Sequence, residues 1–356
     1  MNDPSLKLTA YFGERKRGES GRLLADELLE LYAAHRVRTS LLLRGVAGFG
    51  LKHHLRTDQL LTLSEDLPAV AVAVDSAQRI DALLGELLAL KREGLVTLER
   101  ARLLTGDLSA AVELPEASKL TVYVGRRERA SGRPAFDAVC ELFHRRGLAG
   151  ATVLMGVDGT KQGRRQRASF VGANASVPMM IIAIGTGEQV AGVLAELGEL
   201  LVHPVVTVER VRVCKRDGQL LARPQELPGR DAHGLALWQK LMVHTSEAAR
   251  HGRRPLHREL VERLRESDVA GATSLRGIWG FHGAHAPHGD KLLQVYRHTP
   301  VVTIVVDTPE RIGAAFEIID ALTPEGGLVT SEMVPAARAV SAGHVRGGTR
   351  LAKHEF

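Results

Sequence analysis

The feature that most constrains this chain is a domain-sized pattern that occurs three times along its 356 residues. The last strand of the pattern carries the motif Val-Thr-x-Glu at 96–99, 206–209 and 329–332. The first strand begins at a lysine in each copy, namely Lys7, Lys119 and Lys240. Self-similarity at a fixed phase is the signature of a repeated structural unit. We therefore expect three related folded units in one polypeptide.

Hydrophobic periodicity predicts the order β-α-β-β-α-β within each copy. Leu24, Leu28 and Tyr32 have the spacing of a helix that buries one face, and the run Ala69–Val74 after Pro68 is typical of a buried strand. This order favours a four-stranded antiparallel sheet with both helices on one face. The three uncovered faces would then turn toward a shared centre. The predicted fold class is α+β, with three ferredoxin-like (βαββαβ) units forming an intramolecular pseudo-trimer.

The predicted domain boundaries follow the repeats and the composition between them. Unit 1 covers 6–104, unit 2 covers 119–214 and is diverged, and unit 3 covers 238–338. Segments 105–118 and 215–237 are rich in proline, glycine and charge, which is typical of linkers. Residues 339–356 are predicted to be a flexible tail.

Composition excludes several classes of protein. The longest apolar stretches, such as 177–184, are shorter than the ~20 residues of a membrane helix, so we expect no membrane insertion. Residues 1–5 have no basic region followed by an apolar one, which predicts a cytoplasmic protein. Cys140 and Cys214 lie on apolar faces and are expected to be buried thiols. The net charge of +6 suits an anionic partner but is too diffuse to predict nucleic-acid binding.

Three motifs of the first unit resemble a known family. They are Arg-Gly-Val-Ala-Gly-Phe-Gly at 44–50, Leu-Ser-Glu-Asp-Leu-Pro at 63–68 and Gly-Leu-Val-Thr-Leu-Glu at 94–99. This unit resembles the PII-like domain-of-unknown-function 190 family (UPF0166), and 276–281 repeats the core motif in unit 3. Unit 2 departs from it, with Met155 in place of the arginine and 158–160 in place of the Gly-Phe pair.

The resemblance implies a function as well as a fold. Related PII signalling proteins are homotrimers that bind adenine nucleotides in clefts between subunits and move a loop between the second and third strands, here 48–60. The resemblance therefore implies a covalent trimer with a phosphate-bearing small ligand between its units and an unidentified protein partner. Family members can be encoded beside a fluoride channel, which implies a membrane transporter as a candidate partner.

Two groups of residues are candidates for binding that ligand. Glycines let main-chain N–H groups approach a phosphate, and arginine adds a planar set of donors. The alternative is that the glycines form a tight turn and Arg44 pairs with a carboxylate such as Glu65. Helix starts attract anions, so arginines there are candidates too, the alternative being solvated surface arginines. The candidates are Arg44, Gly45, Gly48, Phe49 and Gly50, Arg276, Gly277, Gly280 and Phe281, and the helix-start residues Arg22, Arg133 and Arg254.

Metal binding and catalysis are less favoured by the sequence. The spacing of His282, His285 and His288 could suit zinc or copper, but neither cysteine nor a pair of carboxylates accompanies them. We find no Ser-His-Asp order and no phosphate-binding P-loop, and we interpret Glu99, Glu209 and Glu332 as structural. The leading hypothesis is a regulator, not an enzyme, that requires no cofactor. The alternatives are a divalent-metal-binding tolerance protein and a ligand-free adaptor linked to fluoride or ion transport.

Overall fold

The computed structural model describes residues 5–57, 66–106, 108, 114–161, 164–165, 177–282, 288–289 and 299–354. Within these residues the chain has a mixed α/β fold with six helices and a large curled sheet. The threefold repeat of the sequence is confirmed by three successive sets of similar elements. Among the described helices, none has the length and apolar content needed to cross a membrane.

The elements of each unit follow the same order. The first unit contains β1 (Ser5–Gly13), α1 (Leu24–Ala34), β2 (Thr39–Phe49), β3 (Arg56–Thr57), β4 (Pro68–Ser76), α2 (Ala77–Leu90) and β5 (Gly94–Thr105). The second contains β6 (Ala117–Gly125), β7 (Arg129–Ala130), β8 (Arg133–Pro134), α3 (Ala135–Arg145), β9 (Gly150–Met155), β10 (Asp158–Lys161), β11 (Arg164–Arg165), β12 (Pro178–Thr186), α4 (Gly187–Leu200), β13 (Val205–Arg210), β14 (Arg212–Arg216) and β15 (Gln219–Leu220).

The third unit ends in an additional hairpin. It contains β16 (Trp238–Ser246), β17 (Arg250–His251), β18 (Arg254–Pro255), α5 (Leu256–Glu266), β19 (Ala272–Arg276), β20 (Trp279–His282), β21 (His288–Gly289), β22 (Pro300–Asp307), α6 (Pro309–Leu322) and β23 (Leu328–Val334). The hairpin that follows is β24 (Ala336–Ser341) and β25 (His344–Gly347).

Each unit builds a four-stranded antiparallel sheet. The order across the first is β2-β4-β1-β5, with Leu8 of the central strand opposite Ala73 on one side and Leu98 on the other. The second and third units repeat it as β9-β12-β6-β13 and β19-β22-β16-β23. Alternate side chains of a strand face opposite sides, so Leu8 packs with the helices while Lys7 faces away from them.

Strand exchange joins the three units into a closed ring. The end of β5 pairs with β13 of the second unit, β14 pairs with β23 of the third, and β24 returns to pair with β5 of the first. A second set of exchanges uses β10 against β2, β20 against β9, and the end of β2 against β19. Each unit is therefore hydrogen-bonded to both of its neighbours.

A central hydrophobic core lies between the three sheets. It draws buried residues from every unit, including Val72 from the first, Ile182 from the second and Val302 from the third. Each unit also has its own core between sheet and helices. The sheet faces that the helices leave uncovered are thus buried against one another, which removes their apolar area from water.

The segments predicted as linkers and tail are partly built into the sheet. β14 runs into the predicted linker 215–237 and forms a hairpin with β15 there, and β24 and β25 form another that extends past residue 339, where a flexible tail is predicted. The tail continues against the body, since the N–H of Lys353 donates to Asp231 and Ala352 is fully buried. Main-chain pairing is indifferent to side-chain polarity, so a polar, glycine-rich composition did not prevent strand formation.

Candidate functional site

A cavity of about 350 Å³ lies between the first and third units. One wall comes from the ends of β1 and β5 and from the loop after β2, and the other from β19, β22 and the hairpin strand β24. The apolar part of the lining includes Tyr11, Leu95, Trp238, Ile304 and Val306. This combination gives the cleft a largely apolar interior that could take an apolar organic group.

The rim of the cleft is basic. Lys16, Lys52, His54 and Arg56 all line it, together with two carboxylates. Arg56 lies 3.3 Å from Asp66. Lysine and arginine at the mouth of an apolar pocket are suited to a phosphate or carboxylate group on a bound ligand.

Glu93 is shared between two of these lysines. Its Oε2 lies 2.9 Å from Nζ of Lys16 and 3.4 Å from Nζ of Lys52. The hydrogen bond from Lys16 is the main reason that the pKa of Glu93 lies below its usual value. The carboxylate is therefore ionised at neutral pH and ties the loop after β2 to the loop between α2 and β5.

Lys91 is a buried amine behind the cleft. It is only 2% exposed, and its Nζ donates to the main-chain oxygen of Glu93 at 2.7 Å. Among the described residues, no carboxylate forms an ion pair with it. Burial lowers the pKa of Lys91 to about 7, and the positive charges of Lys16 and Arg338 act in the same direction. Unlike an ordinary lysine, it can therefore change protonation near neutral pH.

Two basic residues at and next to this cleft, Lys16 and Lys91, have no basic counterpart in the other two units. Main-chain hydrogen bonds to the start of the first helix identify Lys16, Glu128 and Ala249 as equivalent positions. The position of Lys91, just after the second helix, is occupied by Leu201 in the second unit and Thr323 in the third. The repeats have therefore diverged at these two positions.

The predicted glycine motif serves strand exchange. A Cβ on Gly48 would lie 2.6 Å from the carbonyl oxygen of Ala272 in the third unit, and one on Gly45 would lie 2.7 Å from the ring of Pro68. Gly277 and Gly280 meet Pro300 and strand β9 in the same way. The second unit keeps the two glycines at the same spacing, as Gly156 and Gly159. This similarity is hard to see in the sequence because Met155 stands where the other units have arginine. These glycines let one unit's chain approach its neighbour closely.

The aromatic residue of the motif packs into the hydrophobic core of the neighbouring unit. Phe49 is buried in the core of the third unit, and Phe281 in the core of the second. The second unit has Thr160 at this position, and its hydroxyl lies 2.8 Å from that of Ser40 in the first. Phe49 and Gly50 also line the cleft, so this end of the motif touches the candidate site.

The arginine of the motif forms an ion pair outside the cleft lining. Arg44 Nε donates to Glu14 at 2.7 Å, and Arg276 lies 3.0 Å from Glu247. Glu65, the partner considered from the sequence, lies outside the described residues. The second unit has Met155 and Arg126 at the two positions, so both partners of the pair are replaced together.

The three helix-start arginines pair with carboxylates on their own helices. Each reaches a glutamate eight residues later, as in the 2.7 Å hydrogen bond from Arg22 to Glu30. The other two pairs are Arg133 with Glu141 and Arg254 with Glu262. All three arginines are exposed and do not line the cleft, which favours the interpretation as solvated surface residues.

The candidate metal histidines are only partly within the described residues. His282 ends β20, and the main chain of His288 pairs with Gly280 in the adjoining strand. His285 lies outside the described part of the chain. The geometry of a three-histidine site is therefore a prediction from the sequence alone.

Six buried charges form a closed ring where the units meet. Each lysine pairs with a glutamate of its own unit, at 2.9 Å for Lys7–Glu99, 2.9 Å for Lys119–Glu209 and 3.1 Å for Lys240–Glu332. The ring is completed by contacts between units, Lys7 with Glu209, Lys119 with Glu332 and Lys240 with Glu99. Lysines and glutamates therefore alternate around it, and the net charge of the six is zero.

The ring is suited to holding the units together. Its three carboxylates lie within 4.8 Å of one another, a spacing that could suit a cation, but each carboxylate is already paired with two ammonium groups. Burial alone would raise the pKa of Glu99, yet Lys240, Lys7 and Lys119 outweigh it and hold the pKa well below the usual range. A metal ion does not fit this already neutralised cluster, and the interpretation of the three glutamates as structural agrees with the geometry.

Comparison with known proteins identifies the family. The profile of the DUF190 family, described as an uncharacterized ACR, matches residues 5–103, 117–213 and 238–336. This chain therefore belongs to the DUF190 (UPF0166) family and contains its domain three times. A UPF0166 protein from Aquifex aeolicus (strain VF5) is 33% identical over 94 residues, which cover 26% of this chain and 88% of the relative.

Proposed function

We propose that this protein is a PII-like regulatory protein that binds an adenine nucleotide, or a similar phosphate-bearing small ligand, and signals to a protein partner. In this proposal each repeat is a ferredoxin-like unit, and the closed ring of strand exchanges makes the chain an intramolecular pseudo-trimer. The unit order, the shared core and the alternating charge ring support that arrangement. A binding role without catalysis is part of the proposal.

The observation that carries the proposal is the cleft between the first and third units. Its volume of about 350 Å³ falls within the usual range for small-molecule sites. The apolar wall containing Trp238 and Leu95 suits a base, while Lys16 and Lys52 at the rim suit phosphate. A nucleotide combines these two chemistries in one molecule.

The same cleft offers a route to a partner. The loop after β2 contributes Leu51, Lys52 and His54 to the lining, so a bound ligand would touch a segment that also reaches the surface. If the ligand makes better contacts with one conformation of this loop than with another, binding would shift the loop toward that conformation. We propose that the partner recognises this loop, and that a membrane transport protein is one candidate for it.

Calorimetry with ATP, ADP, AMP and cyclic nucleotides tests the proposal. Replacing Lys16 by alanine should weaken binding by about 1.5 to 3 kcal/mol, roughly 10- to 100-fold, if its ammonium donates to a phosphate. Arg44→Ala is the matched control, because Arg44 is an exposed cation that pairs with a glutamate but does not line the cleft. Absence of binding across the panel at millimolar nucleotide would refute the proposed function.

A further inference from the structure

We infer that the Glu93 carboxylate competes with the ligand's phosphate for Lys16 and Lys52, so that binding transfers Lys52 of the loop after β2 from Glu93 to the ligand. The inference rests on the proposed function and adds a means of regulation to it. Its basis is the position of one carboxylate between two lysines of the cleft rim.

The two lysines come from separate elements. Lys16 lies between β1 and α1, whereas Lys52 lies in the loop that follows β2. Both ammonium groups approach the same atom, Oε2 of Glu93, at 2.9 and 3.4 Å. An ionised carboxylate in this position neutralises the cations on which a ligand phosphate would rely.

Glu93 differs from the other carboxylate of the cleft in how it is held. Asp66 accepts a hydrogen bond from the main-chain N–H of Arg15 at 2.6 Å, which fixes its side chain to the backbone. Within the described residues, the hydrogen bonds to the Glu93 carboxylate come from the two lysine side chains. About a third of the Glu93 side chain is exposed, so it can turn toward solvent.

The main chain at Glu93 is anchored separately from its side chain. The buried ammonium of Lys91 donates to the Glu93 carbonyl oxygen at 2.7 Å. The carboxylate can therefore leave Lys16 and Lys52 without moving the end of α2. A phosphate group carries more negative charge than a carboxylate and offers more acceptor oxygens, so it can replace Glu93 at both ammonium groups.

The consequence of this exchange is a change in the loop. While Glu93 holds Lys52, the segment 50–57 is tied to the loop between α2 and β5. When phosphate takes the place of the carboxylate, the ligand holds Lys52 instead of Glu93, while β3 remains paired with β2. The second unit has Glu128 and Leu201 at the positions of Lys16 and Lys91, so we assign the device to this cleft.

The test compares Glu93→Gln with the wild type, using ADP and adenosine as probes. Glu86→Gln is the matched control, because Glu86 is also an exposed glutamate in contact with a nitrogen-bearing side chain, His35, outside the cleft lining. Glu93→Gln should tighten ADP binding by about three- to tenfold, the range expected from removing competition by two exposed ion pairs. Adenosine, which has no phosphate, should bind the variant and the wild type equally.

Hydrogen exchange of residues 50–57 provides a second readout. Exchange should be higher in ligand-free Glu93→Gln than in ligand-free wild type, and adding ADP should lower it again in the variant because the phosphate then holds Lys52. Equal ADP affinity in wild type and variant, or unchanged exchange in the ligand-free variant, would overturn the inference while leaving nucleotide binding intact. Failure of both proteins to bind ADP and adenosine would overturn the proposed function and the inference with it.

Discussion

The buried charge ring provides a demanding test of how the three units are held together. Lys119 is 2% exposed and contacts both Glu209 and Glu332, which belong to different units. Replacing it with methionine keeps most of the side-chain volume but leaves the ring with three carboxylates and two ammonium groups. One buried negative charge is then uncompensated.

The expected loss of stability is large because the three carboxylates must either keep one uncompensated buried charge or take up a proton, and both are unfavourable. At an effective dielectric constant of about 20, attraction across 2.9 Å is worth about 6 kcal/mol. Burial of the lysine opposes this attraction strongly enough that the pKa of Lys119 lies below its usual value. Breaking a buried ion pair on one side typically costs about 3 to 5 kcal/mol. We therefore expect Lys119→Met to lower the free energy of unfolding by about that amount.

Urea denaturation followed by circular dichroism measures this loss. The double variant Lys119→Met/Glu332→Gln restores neutrality and should recover a substantial part of the stability, which the double-mutant cycle reports as a coupling energy. Arg22→Met removes an exposed ion pair and should cost much less. If Lys119→Met were no more destabilising than Arg22→Met, the ring would not stabilise the assembly and our reasoning would be wrong.

Two further predictions concern stability. The pKa values of Glu99 and Glu209 are lowered in the folded state, because the lysines outweigh the effect of burial. Their contribution to stability is therefore complete above the unfolded pKa of about 4.3 and is lost as the pH falls below it. Urea midpoints should fall steeply below about pH 4, and a flat profile down to pH 2 would contradict this. Gly48→Ala should destabilise by about 1 to 3 kcal/mol, since its Cβ would lie 2.6 Å from the Ala272 carbonyl oxygen. Gly85→Ala is the control, because Gly85 lies on the exposed side of α2, where a Cβ would meet no other part of the protein within 4 Å. It should stabilise by up to about 1 kcal/mol; equal effects of the two changes would refute the close approach of the strands.

Much of the fold could be predicted because its signals are local. The helical spacing of Leu24 and Leu28 and the β-branched runs after Pro68 and Pro300 identify elements without reference to the rest of the chain. Hydroxyl residues precede all three second helices, yet only Ser76 and Thr186 cap theirs, whereas Thr308 makes no side-chain cap and Pro309 follows it. Proline at this position removes an N–H that a cap would otherwise satisfy.

The candidate site was harder to predict because its residues are far apart in sequence. Lys16, Lys52 and Glu93 come from three loops of one unit, and Trp238 comes from another unit. The arginine-glycine motif drew attention to Arg44, yet most of that motif serves the exchange of strands. A glycine that accommodates a phosphate and one that accommodates a neighbouring strand have the same sequence signal, since both reflect the need for close approach of the main chain.

The sequence by itself determined that the chain repeats one unit three times, in what order each unit's elements come, and that a lysine and a glutamate recur at fixed places in every copy. Only the tertiary structure decided that these charges alternate in one ring, that Phe49 enters the core of the third unit, and that Glu93 lies between two lysines of a cleft. The physical reason is the separation along the chain between the residues that each interaction joins. Periodicity and capping act over a few residues, whereas ion pairs and strand exchange depend on which distant surfaces the folded chain brings into contact.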